Sequence, residues 1–288
     1  MTRMRKVVVV SVGAAAVGVL ILTPVTARAA SPGWITSCNY SHSASDDPIV
    51  FPGVAGAAHL HDFIGSKTTD AFSTVATVSA GATACHMTDD RSGYWAPALY
   101  KDGMRVLPKA TSKNALLYYR RGSLKAGVTV QTIPEGLKMI VGNHHAESAA
   151  ENEGIAKGRI SFKCGPGSGT NLPAPPAQCD SGVMVVMYMF PSCWDGARLD
   201  SADHKSHMAY PSSGNCPSSH PVAIPRLEAF IRYLVGTQPI GTVTMSSGPY
   251  YTAHMDFWNV WKPPALKLLV DNCINAGKDC GKNPPLSF

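Results

Sequence analysis

A mainly β protein is the fold class the sequence predicts: an antiparallel sandwich or jelly-roll-like single domain with long loops, a C-terminal helix and disulfides. Three observations predict it. Many short apolar runs are broken by glycine and proline, as in all-β chains rather than in chains alternating strand with helix. Only one segment, near the C-terminus, has a good helical period. Eight cysteines follow an export signal, and an even number in an exported chain argues for four disulfides.

The signal comes first. Arg3, Arg5 and Lys6 precede an apolar run from Val7 to Leu22, then Pro24 and the small-residue sequence Ala27-Arg28-Ala29. Residues 1–29 read as a secretory signal peptide with an A-x-A cleavage site, and 30–288 as one secreted domain. The run is short of the ~20 apolar residues of a membrane span, and nothing later resembles a second one. An extracellular protein without a membrane span after cleavage is expected. The formal charge of +6 includes Arg3, Arg5, Lys6 and Arg28. Cleavage leaves +2, so net charge lends no support to a basic patch for nucleic acid or membrane.

Along the chain, Asp46-Asp47-Pro48 and Pro52-Gly53 are turns, and the entry segment looks poor in strands. In AAHLHDFIG, Ala57 to Gly65, extended backbone puts His59, His61 and Phe63 on one side and Leu60, Asp62 and Ile64 on the other. Ser92 to Tyr100 is aromatic and proline-broken, as in an edge strand. Asp102-Gly103 signals a hairpin into Met104 to Leu107. Further strands are expected at Leu116 to Arg120, Leu137 to Val141 and Arg159 to Lys163. Gly182 to Phe190, GVMVVMYMF, is the most apolar run beyond the signal and reads as a central buried strand. A long loop follows, Pro191 to Pro225, rich in His, Asp and Pro; loops of this length are usually functional. Arg226 to Val235, Thr242 to Met245 and His254 to Trp261 complete the β pattern. Pro264 to Ile274 is the helix, with Leu266, Leu269, Val270 and Cys273 on one face.

Eight cysteines allow 105 pairings. The nearest sequence neighbours suggest Cys38–Cys85, Cys164–Cys179, Cys193–Cys216 and Cys273–Cys280. No C-x-x-C pair occurs, which disfavours zinc–thiolate ligation.

Four polar clusters lie at the ends of apolar stretches: His59/His61/Asp62, Asp89/Asp90, Asp203/His204/Lys205/His207 with His220, and His254/Asp256. One reading is a divalent metal site, with His59, His61, His204 and His207 as candidate ligands and a carboxylate beside them. Another is acid–base chemistry on a sugar without metal, through a carboxylate pair or a histidine or tyrosine base. A third is that these histidines only tie loops together. Tyr94, Trp95, Trp194, Tyr210 and Trp258 sit near the clusters and are candidates to hold sugar rings, or else core aromatics. For Asp46, Asp47, Asp102 and Asp195 a turn-capping role is the simpler reading. No G-x-S-x-G, Walker loop, H-E-x-x-H or dinucleotide glycine pattern is present, which disfavours serine hydrolases, nucleotide binders and zincins.

The segments DDPIVFPG, HLHDFIG, SGYWAPALY, SCWDGARLDSADHKSHMAYP, CPSSHPVAIP and AHMDFWNVW resemble the secreted family called domain of unknown function nineteen-ninety-six. Its members occur in actinobacteria and fungi, where the domain is sometimes joined to WSC modules. The family often has His-Gly-Asp-Phe or His-Ala-Asp-Phe where this chain reads His254-Met255-Asp256-Phe257; the histidine and aspartate match and the middle residue departs. The resemblance implies association with polysaccharide or cell-wall material and adds weight to His59, His61, Asp62, His204, Lys205, His207, His220, His254 and Asp256 as one site.

The expectation is a secreted polysaccharide- or cell-wall-active monomer, a glycan hydrolase or lyase built on a His/Asp cluster that includes Asp203. The rivals are a non-catalytic glycan- or wall-binding module and a metal-binding surface protein.

Overall fold

Alternating side chains along short strands build two large sheets in the computed structural model, which describes residues 31–108, 114–165 and 169–287. The expected signal peptide lies outside the described residues. In chain order the strands of the two sheets are β1 Gly33–Cys38, β2 Tyr40–Ala44, β3 His61–Gly65, β4 Gly93–Pro97, β5 Ala115–Arg120, β6 Lys138–Gly142, β7 Ile160–Cys164, β8 Val183–Met189, β9 Arg226–Leu234, β10 His254–Trp258 and β11 Asp279–Lys282. The six-stranded sheet runs β11-β1-β5-β9-β8-β7 and the five-stranded sheet β2-β3-β4-β10-β6. Neighbours are antiparallel except β1 and β11.

One apolar face of each sheet enters a shared core. Ile64, Tyr94, Met139 and Phe257 from the five-stranded sheet join Trp34, Tyr119, Phe162 and Tyr188 from the six-stranded one. The join is also polar. The Tyr94 hydroxyl donates to Asp90 Oδ2 at 2.8 Å and meets the Tyr119 hydroxyl, to which Trp261 Nε1 donates at 3.1 Å. Trp34 stacks on Tyr119 with ring centroids 4.9 Å apart. Buried hydroxyl and indole groups need such partners, or their burial would cost more than it gains.

The five-stranded sheet is covered on its other face too. Phe63, Trp95 and Trp258 pack there with Ile49, Val78 and Val260 in a second core. His61, His254 and Asp256 lie on this outer face.

Most elements fall where the sequence places them. The hairpin of Leu99–Lys101 with Met104–Val106 turns at Asp102 and Gly103, both with positive φ (49° and 75°). All four disulfides pair as expected.

Three expectations are corrected. The entry segment holds β1 and β2; Gly33, at φ 151°, sits so close to β5 that a Cβ would lie 2.0 Å from the Tyr119 carbonyl oxygen. The Ser92 to Tyr100 segment is no edge, because β4 is the middle strand of its sheet and Pro97 merely ends it. The Pro191 to Pro225 loop contains a small sheet of Cys193–Trp194, Met208–Ala209 and Val222–Ala223. The C-terminal helix is where the sequence places it, spanning Pro263–Leu269 and continuing to Asn275 as a wider π turn. Among the described residues no helix is long and apolar enough to cross a membrane.

Asp90 is fully buried, and desolvation raises its pKa from 3.8 to about 7 against hydrogen bonds from Tyr94 and Ser92. Between those values the folded state keeps a proton that the unfolded state releases, so this group's stabilising contribution is full below about pH 4 and lost as pH rises to about 7. In denaturant titrations at a series of pH values, Asp90→Asn should gain on the wild type from pH 4 to 7 and stay level above that. A pH-independent difference would contradict the assignment.

Candidate metal centre

Two strands and one loop bring the site together. In β10 the outward positions are His254, Asp256 and Trp258; in β3 they are His61 and Phe63, with His59 just before the strand. β4 lies between them, with Pro97 opposite His61 and Trp95 opposite Asp256. The Leu60 carbonyl accepts from Ala98 N–H, which anchors the His59–His61 segment against β4.

The three imidazoles converge. His59 Nε2 lies 3.1 Å from His254 Nε2, and His61 Nε2 lies 3.4 Å from the same atom. The far side of two rings is fixed: His61 Nδ1 is 2.9 Å from the Asp46 carbonyl oxygen, and His254 Nδ1 is 2.9 Å from that of Thr252. A carbonyl only accepts, so each Nδ1 carries the proton and each Nε2 presents a lone pair. Burial, reinforced by the neighbouring histidines, lowers all three pKa values: His59 to about 4, His61 to about 3 and His254 well below its usual range. The rings are therefore neutral, which is their ligating form.

Two buried carboxylates adjoin them. Asp256 Oδ2 lies 3.9 Å from His254 Nε2, and neither Asp256 oxygen has a hydrogen-bond partner. Desolvation, then the charge of Asp47, pushes the Asp256 pKa well up. Asp47 Oδ1 caps the turn by accepting from Ile49 and Val50 N–H. One ligand atom each from Asp47, His61 and Asp256 lie within 4.8 Å of one another, as do those of His59, His61 and His254.

This donor set fits a divalent transition-metal ion. With metal–nitrogen bonds of about 2.0–2.1 Å, two ligand nitrogens stand about 2.9 Å apart at a right angle and about 3.4 Å apart at the tetrahedral angle. The observed separations lie in that interval. Tying Nδ1 to a backbone carbonyl is the usual way a ligating imidazole is oriented. A dication would also offset Asp47 and Asp256, two carboxylates that otherwise oppose each other's ionisation.

Other expected site residues go elsewhere. Asp62 points to the opposite face of β3 and pairs with Arg105 and Ser43. His204 and His207 do not join the converging nitrogens. His207 is buried with both ring nitrogens engaged, by Ser201 Oγ at 2.8 Å and the Lys138 carbonyl at 2.7 Å. His204 Nδ1 pairs with Asp200. Asp203 caps a turn, where hydrogen bonds led by Ser206 N–H hold its pKa low. His220 ties to the Ser206 carbonyl and Ser219. These residues brace the loop beside the centre. Tyr94, Trp95 and Trp258 are core aromatics, at most 5% exposed, and cannot meet a sugar from solvent. Trp194 is half-buried and donates to the Arg198 carbonyl. Tyr210 alone of the five lines a cleft.

That cleft, of about 600 Å³, opens along β6 beside the centre. Gly142 pairs with His254, and Lys205 Nζ donates to the Gly142 carbonyl at 2.6 Å, so Lys205 links cleft and centre. His144 lies two residues beyond Gly142, its ring 5.4 Å from His254 and 5.9 Å from His59. Sequence reasoning missed His144, Glu153 and Arg159. The pair His144-His145, three residues past the expected strand end at Val141, was the available signal; Glu153 and Arg159 carried none.

Gly142, at φ 95°, is packed so tightly that a Cβ would lie 2.4 Å from the Ala253 carbonyl oxygen and 2.8 Å from His254 Cα. Gly142→Ala should cost roughly 1–3 kcal/mol from backbone strain alone, and more from the push on β10. Gly158→Ala, at φ 64° with open space around it, should cost less in the same denaturation measurement. Equal costs would contradict the close approach.

A family model described as a domain of unknown function, DUF1996, matches residues 47–261. No curated protein and no solved structure matches the chain. The matched span runs from Asp47 to Trp261 and contains every side chain of the centre. The chain belongs to the DUF1996 family.

Proposed function

We propose that this is a secreted, metal-dependent enzyme that cleaves polysaccharide, as a hydrolase or lyase, at a centre made by His59, His61, His254 and Asp256. The convergence of three imidazole Nε2 atoms, two of them oriented by carbonyl-bound Nδ1 groups, supports this reading most directly. If His59 donates to His254, the His61 Nε2 lone pair still has no donor; a cation serves all three. Bound there, a dication supplies Lewis acidity toward a substrate oxygen or an activated water. The chain's own residues do the rest: His144 borders the centre, the second core of Phe63, Trp95 and Trp258 packs beside it on the same face, and Lys205 meets substrate where the cleft reaches Gly142. Four disulfides suit an extracellular setting, each closing a loop worth ~2–4 kcal/mol.

Metal content and turnover of the purified protein test this. Wild type should carry about one transition-metal ion per chain and release new reducing or unsaturated ends from a wall polysaccharide. His61→Ala and His254→Ala should lose the ion and at least 100-fold in turnover, an order expected when catalytic metal is removed. His207→Gln, away from the centre, should keep the ion while losing stability. A folded wild type that takes up no metal would overturn the reading. Metal and sugar binding without any turnover would instead establish a binding module.

A further inference from the structure

The cleft beside the centre has a charge pattern of its own. Lys157, Arg159 and Lys205 line it with Glu151 and Glu153. Among the described residues, none of the three cations makes a contact ion pair with an acid. Glu151 is already engaged, accepting from Glu147 N–H at 3.0 Å and Ser148 Oγ at 3.2 Å. The balance offered to a ligand is positive.

Arg159 is also held ready. Its guanidinium lies 4.2 Å from the centroid of the Tyr210 ring, and Tyr210 is fixed by donating to the Met189 carbonyl at 2.8 Å. Arg159 Nη1 has only the Met189 sulfur as a partner, at 3.8 Å, and Nε is buried without one, so binding a ligand falls to the terminal Nη groups. Ring stacking orients the planar fork without consuming its donors, the arrangement that suits paired hydrogen bonds to a carboxylate, sulfate or phosphate. At the inner end of the cleft, Lys205 holds the Gly142 carbonyl with one of its three donors, leaving two for a ligand. Gly142 is the strand partner of His254, about one strand spacing, roughly 5 Å, away, so Lys205 holds the strand next to the one that carries His254 and Asp256.

We infer that the cleft binds an anionic glycan, a chain whose sugars carry acidic groups, with Arg159 on Tyr210 anchoring one such group and Lys205 another next to the cleavage centre. This rests on the reading of that centre as glycan-cleaving, and it narrows the substrate class. Neutral glucans or xylans would leave both cations without counter-charge in the bound state, a penalty that discriminates against them.

Calorimetric titration with oligosaccharides of matched length tests it, using uronate-bearing, sulfated and neutral series on wild type, Arg159→Gln and Lys205→Gln, with metal content measured on each sample. An acidic series should bind at least tenfold tighter than the neutral one and weaken as salt rises. Each substitution should remove about tenfold of the acidic affinity, as expected for one charge-assisted contact, while affinity for the neutral series stays put. The uronate and sulfated arms identify which acidic group is read. Equal or better binding of the neutral series, no binding of any series, or no effect of either substitution would overturn the inference. Metal-free wild type that still prefers acidic glycans would sink the metal centre and leave the cleft assignment standing. If Arg159→Gln fails to fold, Lys205→Gln and Lys157→Gln decide the question.

Discussion

Two backbone carbonyls, those of Asp46 and Thr252, set the character of this protein. By accepting from Nδ1 of His61 and His254 they aim two unprotonated Nε2 atoms at each other across 3.4 Å, with His59 as a third. Lone pairs facing one another in a buried place are costly unless something positive lies between them. Asp256 adds a carboxylate with no donor on either oxygen, and Asp47 a second buried acid. Each feature alone has a structural explanation in many proteins. Together they bring three imidazoles and two acids to one place, the donor set on which the proposed metal centre rests.

The remainder of the fold serves that geometry. β3 and β10 are interior strands, so their outward side chains cannot drift without breaking pairing on both sides. The sheet beneath is fixed to its partner by the buried Asp90, Tyr94, Tyr119 and Trp261 network as well as by apolar packing. Around the centre, His61 is tied to the Asp46 carbonyl, Asp47 caps its own turn, and His207 fastens its loop to β6 through the Lys138 carbonyl. The cleft runs along the same strand, reaching Gly142 and Lys205.

Much of this was legible in the residues. Period-two alternation located the apolar strands and put His59 and His61 on one side with Asp62 on the other, which is how β3 lies. Local cysteine pairing was readable because each partner is its neighbour along the chain. What could not be read was which distant clusters meet. His204 and His207 have ligand-like spacing, yet a long loop lets their nitrogens find Asp200, Ser201 and a backbone carbonyl instead. The aromatics flanking the acids were equally ambiguous, since Trp95 and Trp258 alternate outward into a second core that sequence did not reveal. β1 and β2 escaped notice because their serine, threonine and histidine content masks a strand that long-range pairing imposes.

X-ray absorption spectroscopy at the metal edge of the purified protein reads the ligand atoms of the proposed centre. A first shell of three imidazole nitrogens at about 2.0–2.1 Å, with an oxygen shell beside them, is expected, as is the loss of one nitrogen in His254→Ala. A first shell of oxygen alone, or a spectrum unchanged by that substitution, would show that any bound ion sits elsewhere and that the three histidines are not its ligands.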